Sequence, residues 1–156
     1  MKNLKILLLI LIMTQSLFSS IIEDDDEDYV DDRSMLITKI STKSTQEAGM
    51  GVILALNALK YEKKSIIIIG GNSIKFIRRG AHLESFKPAT LQLKKKTTVQ
   101  NLLKTFIRRG GKIFVCNLCL IPDHLIKYDI LKGIEIVNGK QMTNVLFMKN
   151  SKIISF

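Results

Sequence analysis

The chain has 156 residues, 46% of them hydrophobic and 24% charged, with 24 Lys and Arg against 14 Asp and Glu for a formal net charge of +10. That length suits one ordinary domain with a core of its own. Two cysteines and two histidines would be the whole of one structural zinc set, but His82 and His124 lack its spacing, and few aromatics with no tryptophan leave little on which bases could stack.

The amino terminus reads "MKNLKILLLILIMTQSLFSS". Lys2 and Lys5 precede an apolar run from Ile6 to Met13, and small polar residues follow. That order of charge, apolar core and small residues predicts a signal peptide over residues 1–20, hence a periplasmic or secreted protein. The run is well short of the roughly 20 residues needed to cross a bilayer, so no stable membrane span is expected in the mature form. Ser16, Ser19 and Ser20 are all candidate cleavage positions.

Eight acids then fall within the ten residues Glu23 to Asp32. Like charge at that density resists burial, which predicts a disordered acidic segment over 21–33. From Arg33 onwards, residues 33–156 keep 22 of the 24 Lys and Arg but only 6 of the 14 acids, a net of +16. Such a domain beside an acidic tail either meets that tail or an anionic partner, or both are simply solvated.

Along the domain, "SMLITKIS" (34–41) predicts a first strand. A helix follows over 44–64, opened by Ser44 and Glu47 at capping-box spacing, with Ala48, Val52, Ala55, Leu56 and Leu59 at helical spacing. "SIIIIGG" (65–71) has the composition of a strand covered on both faces. "NSIKFIRR" suits a short helix, and a polar connection containing Pro88 follows it. A helix over 97–109 takes Thr97 as its cap, and "GKIFVC" (111–116) is a third buried strand. Pro122 opens a helical turn in "PDHLIKY", with Asp123 as its first-turn acid. "GIEIV" (133–137), "GKQMTNVLFMKNS" and "KIISF" predict strand, helix and strand. "FIRRG" occurs at 76–80 and again at 106–110, in each case as a helix end stopped by glycine. The alternation predicts an α/β fold with a mainly parallel five-stranded sheet between helical layers. In such sheets ligands gather at the carboxyl ends of the strands, where Cys116 stands.

Cys116 and Cys119 are the candidate site residues. A metal site lacks ligands, because His82 and His124 have no ligand spacing. A c-type haem site would need histidine where Leu120 stands. A cysteine that ends a strand and meets a helix start in basic surroundings is placed for thiol chemistry, and export favours disulfide formation. Two buried small hydrophobes would equally account for the pair. Gly70 and Gly71 match neither nucleotide-binding glycine pattern and are read as tight-turn residues. The run Lys94–Lys96 is read as a solvated stretch or an acidic docking surface, not a nucleic-acid interface. No residue is assigned to a metal or a cofactor.

The succession "STQEAGMGVILALNALK", "SIIIIGG", "VQNLLKTFIRRGG" and "KIFVCNLCL", with the ending "GIEIVNGKQMTNVLFMKNSKIISF", resembles the DsrE/DsrF-like family of sulfur-relay proteins over nearly all of 34–156. The resemblance implies a flavodoxin-like three-layer α/β/α sandwich assembled as a trimer or hexamer. It further implies that Cys116 accepts sulfane sulfur as a persulfide and exchanges it with a donor or acceptor protein, and it matches Cys119 to a second cysteine of a subset of members, without a settled role, that could resolve a persulfide or a disulfide. A non-catalytic oligomeric binding module of the same fold, or a small periplasmic thiol–disulfide oxidoreductase, are the competing readings.

Overall fold

The computed structural model describes residues 35–86 and 96–156, all within Asp32–Phe156, the second of the two units into which the chain divides. The predicted signal peptide, the acidic segment, Pro88 and Lys94 lie outside the described residues. Five strands, β1 (Met35–Ile40), β2 (Lys64–Ile69), β3 (Lys112–Cys116), β4 (Ile134–Val137) and β5 (Ser151–Ser155), form one sheet. Their order is β4-β3-β2-β1-β5, and every neighbouring pair is parallel. Four α-helices connect them: α1 (Thr45–Lys60), α2 (Val99–Arg108), the single turn α3 (Asn117–Leu120) and α4 (Gly139–Leu146). Gly71–Phe76 and Lys127–Asp129 are 3-10 turns.

Chirality sorts the helices into two layers. From β1 to β4 each connection moves one place in the same direction across the sheet. Right-handed crossovers therefore put α1, α2 and the segment after β3 on one face. The last connection runs back past the whole sheet to β5, so the same handedness sends α4 to the opposite face. The core divides accordingly. One cluster joins Ile40, Ile67, Ile69, Ile113 and Val115 with Val52, Leu56, Leu103 and Phe106 of α1 and α2. The other joins Ile37, Ile66, Ile68 and Phe114 with Val145 of α4. The molecule is a flavodoxin-like three-layer sandwich.

Local sequence chemistry sets the helix ends. Ser44 Oγ accepts from Glu47 N–H at 3.3 Å, half of the predicted capping box. The Glu47 carboxylate does not return to Ser44 but accepts from Thr42 Oγ1, which itself accepts from Ser44 N–H at 3.0 Å. The cap of α2 is Thr98, whose Oγ1 accepts from Asn101 N–H at 3.2 Å. The expected cap, Thr97, is instead held in an antiparallel bridge, where its backbone exchanges two hydrogen bonds with Phe86. That bridge fixes Phe86, whose ring lies over Gly49 of α1 and leaves no room for a Cβ there. A full capping box that was not anticipated opens α4, with Asn138 and Gln141 bonded reciprocally at 2.9 Å. The second "FIRRG" segment ends as predicted, with Gly110 at φ +85° just past the last turn of α2, but the first does not: its 3-10 turn stops at Phe76, Arg78 bridges Ile130, and Gly80 at φ +69° lies beyond that bridge.

Candidate functional site

The sheet places three turns side by side at its carboxyl edge. Ile40 pairs with Ile69, and Ile69 with Val115, so Ser41, Gly70 and Cys116 follow at one level. The turn after β2 is tied down firmly. Gly70 N–H donates to Ile40 O at 3.1 Å. The fully buried Ser73 hydroxyl lies 2.6 Å from Ile40 O and 2.7 Å from Gly70 O. Gly71 then turns the chain at φ +52°, the tight-turn role expected for this glycine pair.

Cys116 ends β3 and is the N-cap residue of α3, with φ −69° and ψ 133°. It is half-buried, and its Sγ donates towards Asn117 Oδ1 at 3.7 Å. Asn117 Oδ1 also accepts from Leu118 N–H at 2.9 Å. That backbone donor is therefore already occupied. Cys119 lies one helical turn on, also half-buried and packed against the larger core cluster. Its Sγ faces Gly70, 3.6 Å from where a Cβ would stand. Both thiols are free.

The crossover pattern adds what strand-end placement alone does not. The connection after β3 leaves towards one face, since Leu120, Leu125 and Ile130 belong to the larger cluster. The connection after β4 leaves towards the other, where Val145 is buried. Adjacent strands whose connections part in this way open the crevice at which doubly wound sheets bind ligands. Cys116 is in register with Val137 of β4. The next residue, Asn138, caps α4, and a helix amino end favours negative charge nearby. Cys116 therefore occupies the topological switch point.

The segment after Cys116 differs from its sequence reading. "PDHLIKY" is not a helix opened by Pro122. The single turn α3 precedes it, His124 takes φ +51°, and a 3-10 turn follows at Lys127–Asp129. Asp123 is therefore no first-turn acid, and the acid bonded to a turn is Asp129, whose Oδ2 accepts from Ile126 N–H at 2.9 Å. This stretch leaves Leu118 (63%), Ile121, Ile126 and Tyr128 (78%) exposed. Sequence reasoning missed that feature, because apolar residues in a short irregular segment have no period from which burial can be inferred. His82 stands elsewhere, lining a cavity of about 620 Å3 with Lys43, Lys75 and Phe86 at the start of α1. Among the described residues, no three His, Cys, Asp or Glu side chains converge as a metal site would require. Among them too, no helix is long and apolar enough to cross a membrane.

No family model and no curated protein matches the chain. Solved structures do. The crystal structure of the ychN protein from E. coli superposes with a TM-score of 0.62 at 12% identity, covering 80% of this chain and 99% of its own. MTH1491 from Methanobacterium thermoautotrophicum, a protein of unknown function, gives 0.57 at 11% identity, with 78% and 98% covered. At these identities the likeness is one of architecture: the chain has a flavodoxin-like α/β/α fold.

Proposed function

We propose that this is an exported DsrE-like protein that carries or exchanges sulfane sulfur through Cys116, with Cys119 as the second thiol. The observation that carries the reading is the position of Cys116, half-buried at the switch point beside the amino end of α4. The chemistry needs little else. The Cys116 thiolate attacks the outer sulfur of a donor persulfide, the donor's S–S bond breaks, and the donor leaves as a thiolate while Cys116 holds the sulfur as its own persulfide. Attack by the Cys119 thiolate on the Cys116 sulfur would release hydrosulfide and leave a Cys116–Cys119 disulfide, which a thiol reductant must then open. The exposed apolar side chains of 118–128 suit a protein surface that meets the site, either a donor or acceptor protein or a second copy in a trimer or hexamer.

The test is intact mass after incubation with a sulfane-sulfur donor, on the wild type and on Cys116→Ser and Cys119→Ser. A gain of about 32 Da per chain, abolished only by Cys116→Ser, is the expected result. A mass loss of about 2 Da through disulfide closure in the wild type, with no 32 Da gain in Cys119→Ser, where resolution is blocked, would replace relay by thiol–disulfide exchange. Unreactive thiols in every variant would leave the fold as a binding module and refute the proposal.

A further inference from the structure

The side chain of Asn117 stands between the Cys116 thiol and a backbone donor of the following turn. Its Oδ1 accepts from Leu118 N–H at 2.9 Å and lies 3.7 Å from Cys116 Sγ. A backbone N–H can only donate, so the carboxamide atom facing it is the oxygen, and the same oxygen meets the sulfur. Among the described residues, the Nδ2 end makes no hydrogen bond. This arrangement suits a thiol, whose S–H donates to that oxygen. It does not suit a persulfide anion, whose terminal sulfur needs donors and would meet only lone pairs. Asn117 is exposed, so its carboxamide can turn between rotamers without displacing a packed neighbour. Asn138, next after the Val137 that pairs with Cys116, is by contrast held in the capping box of α4.

Resting on the sulfur-relay reading, we propose that Asn117 holds the transferred sulfur: its carboxamide turns on loading, so that Nδ2–H replaces Oδ1 beside Cys116 and donates to the terminal sulfur. The covalent step is unchanged. The outer sulfur of a donor R–S–SH bonds to Cys116 Sγ, the donor S–S bond breaks, and R–S− leaves. The outer S–H then yields its proton to water, and the negative charge rests on the terminal sulfur. That atom lies about 2 Å beyond Sγ, within reach of a carboxamide whose oxygen is already 3.7 Å from Sγ. A charged acceptor rewards a donor more than a neutral one does, so the gain comes only in the loaded form. Asn117 thereby favours loaded over empty Cys116. It also favours a sulfur that ends in negative charge over one capped in a neutral mixed disulfide.

Exchange with glutathione persulfide in excess glutathione tests the role, using the full chain with Cys119→Ser so that no disulfide closes within it. Intact mass gives the fraction that carries an additional sulfur of about 32 Da, and hence the loading equilibrium. Added to that parent, Asn117→Asp keeps an oxygen for Leu118 N–H but has no donor, whereas Asn117→Ala has neither. Both should lower the loading constant about 10- to 100-fold, the usual loss for a hydrogen bond to a charged group. Asn117→Asp should be the lower of the two, because it sets a like charge beside the sulfur. Asn117→Gln keeps the carboxamide and should recover part of the loss. In nitrogen-15 spectra of the parent, loading should move the Asn117 side-chain amide and the Leu118 backbone amide together. If Asn117 serves only to hold the turn, Asn117→Asp loads like its parent, and the proposal is overturned. Asn117 side-chain resonances that stay in place on loading overturn it as well. A parent that gains no sulfur at all refutes the relay reading itself, and this role with it.

Discussion

Replacing Thr38 by valine should make this protein more stable, although it touches the centre of the sheet. Thr38 is fully buried in β1, paired on one side with Ile67 and on the other with Ile154. Alternation along the strand turns its side chain to the same face as Ile40, beneath the layer that holds α1. Its Oγ1 has no hydrogen-bond partner among the described residues. An unpaired buried hydroxyl costs about 1–3 kcal/mol, and valine exchanges it for a methyl of nearly the same size, which opens no cavity. Both residues are β-branched, so strand preference and rotamer freedom hardly change. The net gain should therefore be about 2 kcal/mol, or roughly 6–10 °C in Tm for a domain of this size. Urea unfolding checks it: the midpoint should rise while the slope stays constant. Thr38→Ser is the control, because it keeps the hydroxyl and deletes the methyl, and it should cost about 1 kcal/mol. If Thr38→Val instead lowers stability by a kilocalorie or more, the hydroxyl has a partner such as a buried water, and the reasoning fails.

Ser73→Ala should behave in the opposite way. Its hydroxyl serves the carbonyls of Ile40 and Gly70 from a fully buried position, so the variant should lose about 1–3 kcal/mol by urea titration. It should also raise amide exchange in the turn after β2. Gly110→Ala, at φ +85°, should cost about 1–2 kcal/mol, and Gly80→Ala, at φ +69°, should match it, since both end the same "FIRRG" segment. Leu118→Asp with Ile121→Asp should change stability by no more than about 0.5 kcal/mol, because both side chains are exposed. If this surface meets a partner or a second copy, the same variant should reduce the mass seen by light scattering, or slow sulfur exchange, while Cys116 alone still reacts with a small persulfide.

The fold was legible because its signals are local. The isoleucine run after Ser65, the Ser44–Glu47 spacing and the helix end stopped by Gly110 each follow from interactions within a few residues. Thr97 was misread for the same reason. Two adjacent threonines can each cap a helix, and the choice of Thr98 depends on Phe86 reaching Thr97 from another part of the chain. The stretch after Leu120 was misread because a proline followed by an acid looks like a helix start. Here the backbone instead turns at His124 and bonds Asp129 back to Ile126.

The sequence by itself determined that Cys116 ends a buried strand and that Cys119 stands one turn beyond, since both statements need only hydrophobic pattern and spacing. It also determined the parallel α/β class, because alternating strands and helices have few other solutions. Only the tertiary structure decided that Cys116 lies at the switch point. That depends on β4 pairing beside β3 and on the final crossover running back to β5, and strand order is set by long-range pairing. Likewise, only the assembled sheet decided that Ser65 and Thr38 are buried without partners. A serine or threonine in a strand carries no mark of what will stand across from its hydroxyl until neighbouring strands and the helix above have closed over it.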